Sequence, residues 1–248
     1  PIILFSHGLG GTKTQNSINI EELVSNGYIV IAPDHTYDAS MTIFNDGSSY
    51  EFKSGLPVSE LSTNPELYSL SEDEKINKVF WETRLPQINT RSGDIKFIID
   101  KLQTMQDDPL YSIIDFNNIG VFGHSFGGAT SIIASWNDIR IKACMNLDGW
   151  FVPIVDEVIN TGIKIPFCYI GQEEWDKTPL NYEKVYNFFN NCYSDTYLIK
   201  VKNTKHFDYA DLPYFSNISK FIGVSGKDAD DKLTLNLNKV ILGFFNEY

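Results

Sequence analysis

The stretch Ile119-Gly120-Val121-Phe122-Gly123-His124-Ser125-Phe126-Gly127-Gly128-Ala129-Thr130 decides the fold. An apolar run reaches Gly-His-Ser-Phe-Gly and passes at once into small residues compatible with a helix. This is the pattern of a strand, a sharp turn and a helix, with a serine at the corner. A corner that tight leaves no room for side chains two residues before and two after the serine, and Gly123 and Gly127 stand at those places. Such a turn pushes the Ser125 hydroxyl out at the carboxyl edge of a sheet and at the amino end of a helix. There a helix dipole and free N–H groups favour negative charge.

Outward from this corner, short apolar runs recur with glycine, proline or aspartate at their ends. They predict strands near residues 2–6, 28–33, 119–123, 141–147, 165–170 and 196–202. Helical spacing predicts helices over about 18–26, 87–103, 182–190 and 233–246, the first stopped by Gly27. Strands alternating with helices imply one domain over residues 1–248, with a mostly parallel sheet covered on both faces. Such sheets carry their sites at the carboxyl ends of the strands. Between about Thr36 and Pro86 the pattern fades into Ser, Asn, Asp and Gly. A connection that long reads as an insertion over the active-site edge, with a helix near Ser71–Arg84 opened by Ser71-Glu72-Asp73-Glu74. Phe80 and Trp81 of that helix either face the pocket or pack the insertion onto the body.

A serine hydroxyl is a weak nucleophile and needs a base within hydrogen-bond reach. Of the four histidines, His7, His35 and His124 precede Ser125, and the order expected for this architecture is serine, acid, histidine. His206 alone follows, after a strand end, and is the expected general base. His124, next to the serine, is expected to point elsewhere. The acid must hold the imidazole in one tautomer and stabilise its charged form. Asp148 ends the 141–147 strand and is the first choice, with Glu173, Glu174 and Asp176 as competitors that chain order leaves open. An oxyanion needs two N–H donors. Phe126 follows the nucleophile and supplies one, and Leu9, in the His7-Gly8-Leu9-Gly10-Gly11 loop after the first strand, is the best choice for the other. Trp150 and Phe151 follow Asp148 and are expected on the acyl side of the pocket.

The chain has 248 residues, 42% hydrophobic and 14% aromatic, enough for one large globular α/β domain. A formal charge of -12 argues against nucleic acid and against charge-driven binding to anionic membrane. No apolar run reaches the roughly 20 residues of a spanning helix. Cys144, Cys168 and Cys192 have no metal or disulfide spacing, and the first two lie in apolar runs as core thiols. No cofactor and no metal are expected. The chain opens at Pro1 already inside a strand-like run, so a preceding segment is expected, and neither a secreted nor a cytoplasmic location is read from it.

Several segments together resemble the platelet-activating-factor acetylhydrolase family of α/β-hydrolases, of the plasma or isoform II type. They are Phe5-Ser6-His7-Gly8-Leu9-Gly10, Gly123-His124-Ser125-Phe126-Gly127-Gly128-Ala129-Thr130, and Leu147-Asp148-Gly149-Trp150 with Pro153. The resemblance implies an α/β-hydrolase fold and a serine esterase that releases short or oxidised acyl groups from phospholipids without calcium. It implies Asp148 as the triad acid and Leu9 as the second oxyanion donor. The insertion at 36–86 and the residues around His206 depart from the family pattern. Cutinase-like polyester hydrolases and general short-chain carboxylesterases share the turn and the triad order. A non-catalytic scaffold of the same fold is the reading from another class, and such scaffolds generally lose a triad member. The expected partner is a small-molecule or lipid ester, with transient contact to a lipid surface; oligomeric state is not read.

Overall fold

The computed structural model describes residues 1–53, 72–173, 175, 179–215 and 218–248, with side chains in the first long helix described from residue 83. Phe80 and Trp81 as side chains, and Glu174 and Asp176 altogether, lie outside the described residues.

Six strands form one sheet: β1 (Ile2–Ser6), β2 (Ile29–Ile31), β5 (Ile119–His124), β6 (Ile141–Leu147), β7 (Phe167–Gln172) and β8 (Thr196–Val201). Their order is β2-β1-β5-β6-β7-β8, and every neighbouring pair is parallel. β3 (Met41–Ile43) and β4 (Ser49–Glu51) form a separate antiparallel hairpin. The helices are α1 (Ser17–Ser25), α2 (Glu72–Thr104), α3 (Phe126–Asn137), α4 (Asp156–Thr161), α5 (Pro179–Asn191), α6 (Leu212–Phe215), α7 (Ile218–Phe221) and α8 (Asp231–Glu247).

The strands read as continuous apolar runs because both faces of the sheet are buried. Ile2 and Leu4 of β1 pack on one side with Ile95 and Ile99 of α2, Ile132 of α3 and Val185 of α5. Ile3 and Phe5 pack on the other side with Leu23 of α1 and Leu237, Ile241 and Phe245 of α8. Alternation along each strand therefore separates two cores rather than core from solvent. The closing helix approaches so closely at β5 that a Cβ on Gly120 would lie 2.7 Å from the Phe245 ring. Each fully buried Ile, Leu or Phe contributes about 1.5–3 kcal/mol, and within the six-stranded sheet these residues come from β1, β5, β6 and β7, the outer strands β2 and β8 holding no fully buried residue.

Three expectations are corrected. The helices read over 71–84 and 87–103 are one helix, α2, that runs through Pro86. Proline cannot donate to the turn before it, which is why the sequence reads as a break. The hairpin β3–β4 is not visible in the sequence, because its strands are only three residues each, Met-Thr-Ile and Ser-Tyr-Glu, and mostly exposed. Finally, β7 runs 167–172 rather than 165–170, since Gly171 and Gln172 still pair with Lys200 and Val201 of β8.

The chain goes from β1 outward to β2, then returns across to β5 and continues away through β6, β7 and β8. The loops after β1 and β5 thus diverge at the carboxyl ends of adjacent strands, and the crevice between them is where open parallel sheets bind ligands.

Candidate active site

Ser125 sits at the corner between β5 and α3 with φ 57° and ψ −121°. The two glycines have physical reasons to be there. A Cβ on Gly127 would overlap the Ser6 carbonyl, and one on Gly123 would overlap the Gly127 backbone. The Ser125 N–H donates to Leu147 O at 3.0 Å, and Ser125 O accepts from the Trp150 N–H at 3.0 Å, which ties the corner to the end of β6.

Past β8 the chain turns into a single 3-10 turn, His206–Tyr209. Asp208 shapes that turn by accepting from the N–H groups of Lys205 at 2.7 Å and Gly226 at 2.8 Å. His206 Nε2 lies 2.9 Å from Ser125 Oγ, and His206 Nδ1 lies 2.7 Å from Asp148 Oδ2. An ionised carboxylate only accepts, so Nδ1–H donates to it and Nε2 is left to accept the Ser125 O–H. The sequence-predicted Ser125, His206 and Asp148 are therefore joined in one hydrogen-bonded line. Glu173, the described competitor, is exposed.

Asp148 is fully buried and has φ 44°. Its carboxylate is kept in the interior by donors: Gln172 N–H at 2.9 Å and Gln172 Nε2 at 2.8 Å, Trp175 Nε1 at 3.2 Å and Tyr169 Oη at 3.4 Å. Sequence reading missed all three residues. The one signal was Gly171, whose Cβ would lie 2.5 Å from Asp148 Oδ1. Trp175 also sets its ring edge-on to His206, centroids 5.0 Å apart.

His124 points away from the serine hydroxyl, as expected, and under the histidine loop. Its Nε2 donates to His206 O at 2.9 Å, and the two rings lie 4.6 Å apart at 35°. Burial, and next the charge His206 can carry, push its pKa down to about 3, so it stays neutral beside a ring that must gain a proton.

The loop after β1 brings Gly8 against the serine: a Cβ on Gly8 would lie 3.3 Å from Ser125 Cβ. Its neighbouring amides are engaged. Gly8 N–H donates to Gln15 Oε1 at 2.6 Å, Gly10 N–H to Asp38 O at 2.9 Å and Gly11 N–H to Gly8 O at 3.0 Å. Among the described residues the N–H groups of Leu9 and Phe126 have no protein acceptor. Phe126 directly follows Ser125, and Leu9 directly follows Gly8 in the loop that packs against it. Trp150 is half-buried with its ring 5.8 Å from that of Phe126. Phe151 does not line the crevice. It is fully buried and packs edge-on against Phe167, Tyr169 and Phe188. Its N–H donates to Asn181 Oδ1 at 2.6 Å, which turns the side chain into the core below β7. Among the described residues, no cluster of three His, Cys, Asp or Glu side chains gathers as metal ligands do.

The family model described as "Platelet-activating factor acetylhydrolase, isoform II" matches residues 1–248. The chain belongs to this family. Similar curated proteins include the platelet-activating factor acetylhydrolases of Canis lupus familiaris, 31% identical over 271 residues, and of Gallus gallus, 25% identical over 264 residues. The match covers 100% of this chain with 57% and 62% of theirs, so the chain spans less than two thirds of those relatives. A protein of Arthroderma benhamiae named "Probable 1-alkyl-2-acetylglycerophosphocholine esterase" is 29% identical over 66% of this chain and 34% of its own. Among solved structures, a ferulic acid esterase from Streptomyces cinnamoneus superposes with TM-score 0.76 at 22% identity, covering 100% of this chain and 67% of that one. A dienelactone hydrolase from Anabaena variabilis superposes with TM-score 0.59 at 14% identity, over 100% and 86%. The fold of this platelet-activating factor acetylhydrolase family member is thus the α/β-hydrolase fold, as its nucleophile-turn sequence implies.

Proposed function

We propose that this chain is a serine carboxylester hydrolase that cleaves short acyl groups from lipid esters, of the acetyl-glycerophospholipid type and without calcium. The observation that carries the reading is the line Ser125 Oγ–His206–Asp148, at 2.9 and 2.7 Å, at the crevice between β1 and β5. Ser125 is the nucleophile. Its Oγ attacks the ester carbonyl carbon while His206 Nε2 takes the hydroxyl proton. The carbonyl oxygen becomes an oxyanion held by the N–H groups of Leu9 and Phe126, each such donor being worth about 3 kcal/mol of barrier. Asp148 balances the imidazolium. The C–O bond to the leaving alcohol then breaks, Nε2 returns the proton to that alcohol, and the acyl group stays on Ser125. Water repeats the sequence, giving its proton to Nε2 and releasing the carboxylic acid. The cycle needs no cofactor.

Two features support a lipid ester. Family membership is one. The other is the surface beyond His206, where Phe207, Leu212, Phe215, Ile218, Phe221 and Ile222 are exposed together along one stretch of chain. Apolar exposure of this kind suits transient contact with a lipid surface. No helix among the described residues is long and apolar enough to cross a membrane. Trp150 is read as lining the acyl side, next to Phe126. We take residues 1–248 as a single domain and 36–86 as the insertion that shapes specificity.

A fluorophosphonate probe and a substrate series test the reading together. The probe should add one adduct to Ser125 and none to Ser125→Ala. Hydrolysis of p-nitrophenyl esters should fall with acyl length, and an acetyl-glycerophospholipid should be cleaved in the presence of a chelator. Ester hydrolysis with the phospholipid left intact supports the short-chain or polyester alternative. An adduct on another residue, or none on active protein, overturns the nucleophile.

A further inference from the structure

A hydrogen-bonded chain runs behind the loop after β1 and ends on one peptide unit. Asp94 of α2 accepts from His35 Nδ1 at 2.8 Å, and His35 Nε2 lies 2.9 Å from Ser6 Oγ. The line Ser6–His35–Asp94 copies the chemistry of Ser125–His206–Asp148, but it is no second active site. Ser6 is 1% exposed, and its carbonyl is packed against Gly127. It leads instead toward the crevice. The His35 backbone N–H donates to His7 Nε2 at 3.1 Å, so that nitrogen carries no proton and Nδ1 does. His7 Nδ1–H then donates at 2.6 Å to the Gly8 carbonyl, which also accepts the longer bond from the Gly11 N–H at 3.0 Å. Arg91 Nη2 donates to the His7 carbonyl and lies 3.2 Å from His7 Nδ1. Burial first, and the nearby Arg91 guanidinium next, lower His7 to about 2 and His35 well below its ordinary value, so both rings are neutral and their tautomers fixed.

The Gly8 carbonyl and the Leu9 N–H belong to the same peptide unit. In a trans peptide they point in opposite directions, and no cis bond occurs among the described residues. Holding the oxygen on the His7 side therefore turns the Leu9 N–H away from His7. We propose that His7, fixed by the Asp94–His35 relay, is a positioning residue that stops the Gly8–Leu9 peptide from flipping and so keeps the Leu9 N–H directed into the crevice. The proposal rests on the reading of Leu9 as an oxyanion donor. Glycines on both sides of Leu9 give the peptide freedom to turn over. A flipped peptide would present a carbonyl oxygen to the developing oxyanion, replacing an attraction with a repulsion.

The test compares His7→Asn with His7→Leu. The two replacements have the same shape and leave the same space, and Asn keeps a donor close to the position of Nδ1. Hydrolysis of p-nitrophenyl acetate is measured for both, for Asp94→Ala and for Ser125→Ala, with thermal melts. His7→Leu should lower kcat by about 10²-fold with KM little changed, the size of a lost oxyanion donor. Its affinity for a trifluoromethyl ketone, which forms the tetrahedral adduct, should fall with kcat. His7→Asn should recover most of both. Asp94→Ala acts two links away and should lower kcat by a smaller factor than His7→Leu does. Equal kcat for the Asn and Leu variants, or a loss carried by KM, overturns the proposal. If His7→Leu does not fold, Asp94 decides, its side chain being 42% exposed and open to replacement: an unchanged kcat in Asp94→Ala overturns it. Inactive wild type, or an active Ser125→Ala, removes the reading of the site and this proposal with it. An inactive Ser125→Ala beside a His7→Leu that matches wild type removes the proposal alone.

Discussion

Asp148 holds a negative charge with no exposed surface. An unpaired buried ion costs several kcal/mol, and here three side chains, one backbone N–H and the His206 ring share the stabilisation. Asp148→Asn should keep the fold, since the amide is nearly isosteric. It should lose on the order of 10⁴-fold in kcat, because an amide can donate to the imidazole and hold the wrong tautomer. Glu173→Gln, at an exposed carboxylate, should change kcat by less than about tenfold, and the same is expected of Glu174→Gln and Asp176→Asn if neither is the acid. Activity in Asp148→Asn with collapse in one of the others would move the acid to the loop after β7. Trp175→Phe keeps a ring against His206 and deletes only the indole donor. It should lower unfolding free energy by about 1.5 kcal/mol, the low end for a hydrogen bond to a charged group, as read by urea titration. At this scale the line Ser125–His206–Asp148 was legible, because a serine corner and a strand-end aspartate are fixed by the sheet. Trp175 and Gln172 were not, since only folding brings them to Asp148. Phe151 was misread because sequence proximity to Asp148 says nothing about which way the next turn faces. His35 and Asp94 were equally hidden, far apart in sequence from the loop they meet.

The elements were most legible where burial is two-sided. β1 and β6 fall where the apolar runs place them, and α8 differs only at its ends. Legibility failed where a local signal was outvoted by tertiary structure. α2 continues through Pro86 because its later turns are anchored by Ile88, Ile95 and Ile99 in the core. Interior proline costs a helix about 3 kcal/mol, partly offset by its lower freedom in the unfolded chain. Pro86 is exposed, so Pro86→Ala restores an N–H without disturbing the core. It should stabilise the protein by about 1–2 kcal/mol in chemical denaturation. A destabilised variant would mean that the helix needs the bend proline gives it.

The whole molecule buries neutral histidines. His7 is lowered to about 2 and His124 to about 3, and His35 is well below its ordinary value, each chiefly by burial. The folded state refuses protons that the unfolded chain accepts below about pH 6.5. Stability is therefore full above that pH and is lost as pH falls through it. Asp38, Asp94 and Asp211 oppose this, since burial raises them, Asp211 to about 6. Their contribution grows as pH falls. Three imidazoles titrate first, so unfolding free energy should drop by about 2–4 kcal/mol between pH 7.5 and 5.5. Urea titrations at the two pH values measure it; equal midpoints would mean that these rings are accessible to protons in the fold. The order of the strands has a further outcome, in time rather than in energy. β1 is made before its central-sheet partner β5, with Ile2 set against Ile119. More than a hundred residues must leave the ribosome before that pairing can form. Until then β1, apolar but for Ser6 and buried on both faces at the end, has three-residue β2 beside it. Parallel pairings between distant segments form slowly and leave unpaired edges exposed, so the β5-facing edge of β1 stays open during synthesis until residues 119–124 have been made.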